Sequence, residues 1–280
     1  MNGCFVLDAV RTPRARAKPR GGALAGIHPQ ELFAQILRAL ERRGSVNPAE
    51  VDDVVVGCVS QVGDQGSNIG RCAVLAAGWP HAVPAVSLDR LCGSGLQAVH
   101  FGAGAIAAGA ADLIVAGGVE SMSRVPMGAD GGGLDGNNLL LRAEVPQIPQ
   151  GISADLIATI EGYKREHLDA VGLRSQRGAA RAMSEARFAR SLAPVVHPDT
   201  GVVLLDRDDT PRPATTEADL ASLPPAFAAL GSAVAGVHGE TLDQLAERGL
   251  SGGRLRHLHT AGTSSGIADG AAAVVLASES

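Results

Sequence analysis

Apolar residues come in short blocks along the first 124 residues, and the blocks alternate between two kinds of spacing. CFVLDAV (4–10), VDDVVVGCVS (51–60), AVPAVSLD (82–89) and DLIVAGGVE (112–120) are nearly continuous apolar runs of strand length. Runs of this kind suit strands buried on both faces. Between them lie stretches with helical spacing. In PQELFAQILRALERR (29–43), Leu32, Phe33, Ile36, Leu37 and Leu40 fall on one face, with Pro29 suited to a first turn and Gly44 to the stop. SNIGRCAVLAAG (67–78) and GSGLQAVHFGAGAIAAG (93–109) read as two further helices. The repetition predicts an α/β fold built on a mainly parallel sheet with helices on both faces.

From about residue 125 to 250 the pattern changes. Charge, proline and irregular spacing increase. RVPMGADGGGLDGNN reads as a loop, residues 153–188 as two helices with the second starting near Lys164, and PVVHP and GVVLLDRDD as strand-like. HTAGTSSGIADGAAAVVLAS (259–278) returns to core character, with a Gly/Ser turn and then an apolar strand. The layout predicts a core domain from 1–124 plus 251–280 and an inserted domain at 125–250.

Charge and composition narrow the classes. A formal net charge of −5 and 2% aromatic residues disfavour nucleic acid as a partner. No apolar stretch reaches the ~20 residues that span a bilayer. The basic residues near the start follow the apolar run, the reverse of a signal peptide, so the chain reads as cytoplasmic with no membrane partner. Arg11, Arg14, Arg16, Lys18 and Arg20 are either a solvated loop or a contact to an anionic ligand or partner. The cysteines Cys4, Cys58, Cys72 and Cys92 form no CxxC pair, which counts against zinc, and a cytoplasmic setting counts against disulfides. Cys4, Cys58 and Cys72 lie within strand-like or helix-like runs and read as buried structural thiols.

Cys92 is placed differently. In RLCGSGLQAV it follows a strand-like run and directly precedes a helix. Unpaired N–H groups and the macrodipole at a helix entry favour an anion, which lowers a thiol's pKa and offers donors to an oxyanion. Gly93 and Gly95 allow a substrate close to the backbone. On spacing alone, a nucleophile and a buried thiol at a tight turn both remain open.

Four segments break the tie. RLCGSGLQAVHFGAGAIAAGAADLIVAGGVESMSRVPM resembles the nucleophile region of the thiolases, a family of acetyl-CoA acetyltransferases and 3-ketoacyl-CoA thiolases. DAVRTPRA, GCVSQVGDQGSNIGRCAVLAAG and TAGTSSGIADGAAAVVLAS are also similar to thiolase segments, in the same order. The resemblance implies a layered fold of two similar halves, each a mixed, mainly parallel five-stranded sheet flanked by helices, with a loop domain inserted in the first. This chain matches the first half and its insertion, and the second half is absent. The resemblance implies that Cys92 is the nucleophile that forms an acyl-enzyme, its backbone N–H serving as oxyanion donor. The acyl group then passes to CoA in thiolysis or to an acetyl-CoA carbanion in condensation. Coenzyme A or acyl-CoA enters as substrate, with no permanently bound cofactor and no metal. Ser265, with Ala261 and Ser264 beside it, matches positions along the pantetheine. Arg212 matches an arginine near the nucleotide. Glu120 reads as structural.

Three departures qualify the match. Asp89 stands where the family has Asn, Ser or Thr. In QGISAD (150–155), Gln150 and Ile152 replace a Met-Gly segment lining the acyl pocket, which favours a degradative β-oxidation type over a strict acetoacetyl-CoA enzyme. The Gly-His-Pro, Cys-Gly and Asn-Glu-Ala motifs of the family's second half do not occur, and the eight histidines (28, 81, 100, 167, 197, 238, 257 and 259) all read as structural or surface. The expectation is a thiolase-type acyltransferase that needs a separate C-terminal chain or segment. The other reading is an inactive truncated thiolase that keeps a CoA-binding or dimerising surface. The resemblance also implies a homodimer through the core sheet near AVSLD.

Overall fold

The computed structural model describes residues 3–279. Its contacts divide the chain into two compact units. Unit 1 comprises residues 1–130, 186–210 and 267–280, and unit 2 comprises 131–185 and 211–266.

Unit 1 is a mixed sheet flanked by helices. Its strands are β1 (Phe5–Arg11), β2 (Ala15–Arg16), β3 (Asp53–Gly57), β4 (Ala85–Leu88), β5 (Leu113–Ser121) and β8 (Ala268–Ala277). The order is β1-β8-β5-β3-β4, and the short β2 also pairs with β8. β3 pairs in parallel with β4 and β5, whereas β8 runs antiparallel to β1, β2 and β5. Every strand of this sheet but β8 therefore points the same way. The expected five strands are present, and the two-residue β2 makes a sixth.

The alternation of strand side chains sends neighbours to opposite faces. Val54, Val56, Val115, Val119 and Val275 meet α1 (Pro29–Arg42) and α2 (Ile69–Ala76) on one face. Val55, Ile114, Ala116 and Leu276 meet α3 (Ser94–Ala107) on the other, through Ala98 and Ile106. α1 starts as its sequence dictates. His28 Nδ1 accepts the Gln30 N–H at 3.3 Å, Pro29 takes the first turn, and Leu32, Phe33, Ile36, Leu37 and Leu40 are buried.

Unit 2 is mostly helical: α4 (Leu139–Glu144), α5 (Gln150–Ile160), α6 (Arg165–Ser184), α7 (Glu217–Ala221), α8 (Ala228–Gly231) and α9 (Leu242–Glu247). The second helix starts one residue after the expected Lys164, which is its N-cap.

The unit bounds differ from the expected 125–250 insertion at its start, where residues 125–130 belong to unit 1, and in two larger places. Residues 251–266 pack with unit 2, and residues 186–210 pack with unit 1. The second of these has a clear cause. β6 (Val195–Val196) and β7 (Val203–Leu205) form a hairpin, and Gln35 on α1 clamps β6 by donating to the Val196 carbonyl and accepting its N–H. The Arg11 guanidinium grips Asp208 with two bonds of 2.7 and 2.9 Å, and the Arg14 N–H donates to the same carboxylate. Arg11 also lies 5.0 Å over the Phe188 ring. So Arg11, Arg14 and Arg16, expected as a solvated loop or a ligand contact, hold an internal segment. Arg16 bonds to Asp209, and Lys18 and Arg20 stay exposed.

Candidate functional site

β4 delivers the chain to Asp89, and a hydrogen-bonded turn carries it into α3. Asp89 Oδ1 accepts the Leu91 N–H at 2.6 Å. Ser94, the first residue of α3, accepts the Arg90 N–H at 2.8 Å and donates its hydroxyl to the Leu91 carbonyl at 2.6 Å. The turn forces Leu91 to a φ of +49°, a left-handed conformation that costs a leucine energy. Its effect is to present Cys92, which is exposed, at the mouth of a 14-residue helix. The N-cap Gly93 supplies no side-chain acceptor to the first-turn N–H groups, so the positive end of the helix faces whatever approaches the thiol. The Asp89 departure is thus accommodated, because a carboxylate oxygen makes the supporting bond.

The helix entry is pressed against the sheet. A Cβ on Gly57, the last residue of β3, would lie 2.4 Å from the Ser94 carbonyl carbon and 2.5 Å from the Gly95 nitrogen. Behind it, Glu120 accepts the Val59 N–H at 2.9 Å and the Gln65 Nε2–H at 2.6 Å. Those bonds give Glu120 a structural role.

The other thiols are in different settings. Cys58 is buried, and burial pushes its thiol up to about 12, with the Glu120 and Asp89 carboxylates adding to the effect. Cys4 and Cys72 are half-buried rather than buried, and Cys72 donates to the Ser67 carbonyl at 3.2 Å.

No general base reaches Cys92, whose sulfur has no hydrogen-bond partner among the described residues. His100 lies six residues into α3, about 9 Å along its axis at the standard rise. His28 caps α1. His167 and His197 each accept a nearby backbone N–H through Nδ1. His81 and His238 are exposed. Among the described residues no group of His, Cys, Asp and Glu could hold a metal ion, and no helix is long and apolar enough to cross a membrane.

The residues matched to CoA contacts all lie in unit 2. Thr260–Ser265 form a tight turn. The Thr260 N–H donates to Thr263 Oγ1 at 2.9 Å, the Gly262 N–H to Thr260 Oγ1 at 3.1 Å, and the Ser264 hydroxyl to the Thr260 carbonyl at 2.7 Å. Ser264 is therefore engaged within the turn, whereas Ala261 and Ser265 are exposed. Gly172 on α6 lets the turn seat closely, since a Cβ there would lie 2.8 Å from the Gly262 carbonyl oxygen. Arg212 is exposed, and its N–H is fixed by Gln176 Oε1 at 2.7 Å. Gln150 is exposed at the first position of α5. Ile152, expected along an acyl pocket, is fully buried inside the unit and lines no open surface.

A mixed sheet with a helix-mouth cysteine beyond its strand ends defines an α/β protein with an accessible thiol. Comparison with known proteins then assigns the family. The model described as "Thiolase, N-terminal domain" matches residues 4–246, and the chain belongs to the thiolase family. All of it aligns with a 3-ketoacyl-CoA thiolase of Pseudoalteromonas translucida (strain TAC 125) at 37% identity and with one of Serratia proteamaculans (strain 568) at 38%. The crystal structure of a Bacillus anthracis acetyl-CoA acetyltransferase matches the whole chain with a TM-score of 0.78 and 32% identity. The chain spans 65% and 66% of the two curated relatives and 66% of the crystallised one.

Proposed function

We propose that this chain is the nucleophile-bearing part of a thiolase-type acyltransferase acting on acyl-CoA. The observation that carries the reading is the exposed Cys92 sulfur at the α3 mouth, held there by the left-handed Leu91 turn. The Cys92 thiolate attacks the 3-keto carbonyl of a 3-ketoacyl-CoA. The first-turn N–H groups of α3, with that of Cys92, stabilise the oxyanion. Collapse breaks the Cα–Cβ bond, and acetyl-CoA leaves as a carbanion that takes a proton. An acyl thioester remains on Cys92, and the thiol of a second CoA displaces it. Ser265, Ala261 and Ser264 contact the pantetheine through the 260–265 turn, Gln150 contacts the acyl end of the substrate, and Arg212 meets the nucleotide. The groups that take the thiol proton and return one to the carbanion come from the third of the relatives' length that this chain does not span. The exposed side of α3 supports that completion: Leu96 is 63% and Phe101 54% exposed, although both sit on a helix at the core of the unit. A second copy pairs along β4, one of the two edge strands of the sheet, whose far edge has no strand partner among the described residues.

The absence of a base beside Cys92 among the described residues favours a second reading, a non-catalytic chain that keeps a CoA-binding surface. One experiment separates the two. The chain alone should cleave acetoacetyl-CoA no faster than its Cys92→Ala variant. Expressed with the remaining third of a 3-ketoacyl-CoA thiolase, it should cleave acetoacetyl-CoA or a longer 3-ketoacyl-CoA, and Cys92→Ala should abolish the gain. Complementation that yields a folded complex without Cys92-dependent turnover would establish the non-catalytic reading.

A further inference from the structure

Four ionisable side chains of unit 2 meet where the proposed chemistry uses none of them. Asp155 on α5 is fully buried. Its Oδ1 accepts the backbone N–H of Leu258 at 3.0 Å, that of His259 at 2.9 Å, and the His259 ring N–H (Nδ1) at 2.8 Å. Its Oδ2 lies 3.0 Å from His257 Nδ1. On the far side of the same ring, His257 Nε2 lies 3.0 Å from Oδ2 of Asp243 on α9.

Carboxylates only accept, so both bonds to His257 form only when the imidazole carries both protons. A neutral ring in either tautomer turns a lone pair toward one of the two carboxylates. Asp243 has little alternative. Its Oδ1 is buried without a hydrogen-bond partner among the described residues, and the backbone of Gly231 on α8 closes over it, with a Cβ there lying 2.0 Å away. The charged groups around His257 are few. Asp155 faces it from α5 and Asp243 from α9, His259 two residues on along the same irregular segment shares Asp155, and α8 brings no titratable residue. Arg256 sends its guanidinium to the Ala158 and Tyr163 carbonyls, and Glu247 is taken up by the Leu255 N–H.

The cluster has a mechanical consequence, because residues 257–259 run directly into the Thr260–Ser265 turn. We propose that His257 is a proton-operated positioning residue for that turn: doubly protonated, it clamps α5 and α9 onto the segment that carries Ala261, Ser264 and Ser265, and on losing a proton it releases the α9 side. The electrostatics agree. Burial alone pushes the His257 pKa down, but the hydrogen bonds to Asp243 and Asp155 outweigh it and leave the ring above its ordinary value. Burial likewise pushes Asp155 up, and the donors from His259, Leu258 and His257 outweigh it and keep it an anion. With the histidine raised in the folded state, the clamp is complete below the ordinary value of about 6.5 and is lost as pH rises through the raised one.

The clamp itself is independent of the CoA reading; only its effect on CoA rests on it. Hydrogen–deuterium exchange of the full chain over residues 255–265, corrected for intrinsic pH dependence, reads the clamp. Protection should fall about tenfold as pH rises past His257's titration, the loss of one charge-assisted bond. Asp243→Asn should abolish the step, because its carboxamide can donate to a neutral ring. His257→Ala should show the released level at every pH. Protection in the wild type that does not change with pH overturns the proposal, as does an equal step in a folded Asp243→Asn. If the protein binds CoA, its Kd should rise through the same step. Exchange that steps as expected while CoA fails to bind at any pH counts against the CoA reading and leaves the clamp standing.

Discussion

Cys58 and Cys92 lie near the strand ends of one sheet, and their surroundings give them different chemistry. Cys58 is buried beside the Glu120 and Asp89 carboxylates, which with burial keep it a thiol at physiological pH. Cys92 is exposed at the positive end of α3. Iodoacetamide should therefore modify Cys92 well before Cys58, with Cys4 and Cys72 in between because both are half-buried. Peptide mass mapping over a time course checks this, and equal labelling of all four would remove the case for an activated thiol. The position of Cys92 ahead of a helix was legible in its sequence. The device that exposes it was not, since nothing in a leucine signals a left-handed φ. The His257 clamp was equally hidden: three of its members are separated by about a hundred residues from Asp155, and only the packing of α5 against α9 brings them together.

At the scale of elements, α3 must enter against the end of β3 with no side chain between them. Gly57→Ala would drive a methyl into the Ser94–Gly95 backbone, an overpacking cost of about 2–3 kcal/mol. Urea unfolding should report that loss, together with slower Cys92 labelling or loss of its selectivity, because the helix mouth has to shift. The helices and strands of unit 1 fall within a few residues of the periods that predict them. α1 is the clearest case, with proline, apolar face and glycine stop all in agreement. α3 is the exception in character. One side packs on the sheet through Ala98, Gly102 and Ile106, while Leu96 and Phe101 on the other face outward, so apolar spacing could not tell a buried face from an open one.

At the scale of the molecule, the bounds of the units were the least legible feature, because they depend on pairings between distant residues. Asp208 illustrates this. Burial pushes its carboxyl up, but the Arg11 hydrogen bond and the Arg14 N–H and charge outweigh it and hold it below the usual range. Asp208→Ala, which leaves Arg11 without its buried partner, should cost about 3 kcal/mol at neutral pH. Since the native carboxyl is lowered, its contribution is present above the unfolded value of about 3.9 and disappears as pH falls through the native one. Thermal midpoints of the wild type and variant should thus converge toward acid pH, and a constant gap would refute the assignment. The order of strands also sets a timetable. β8 lies between β1 and β5, yet Phe5 pairs with Ala277, so the partner of the first strand is synthesised 272 residues after it. At cellular elongation rates that is a wait on the order of 10–50 s, during which β1 and β5 leave the ribosome with their shared neighbour still unmade.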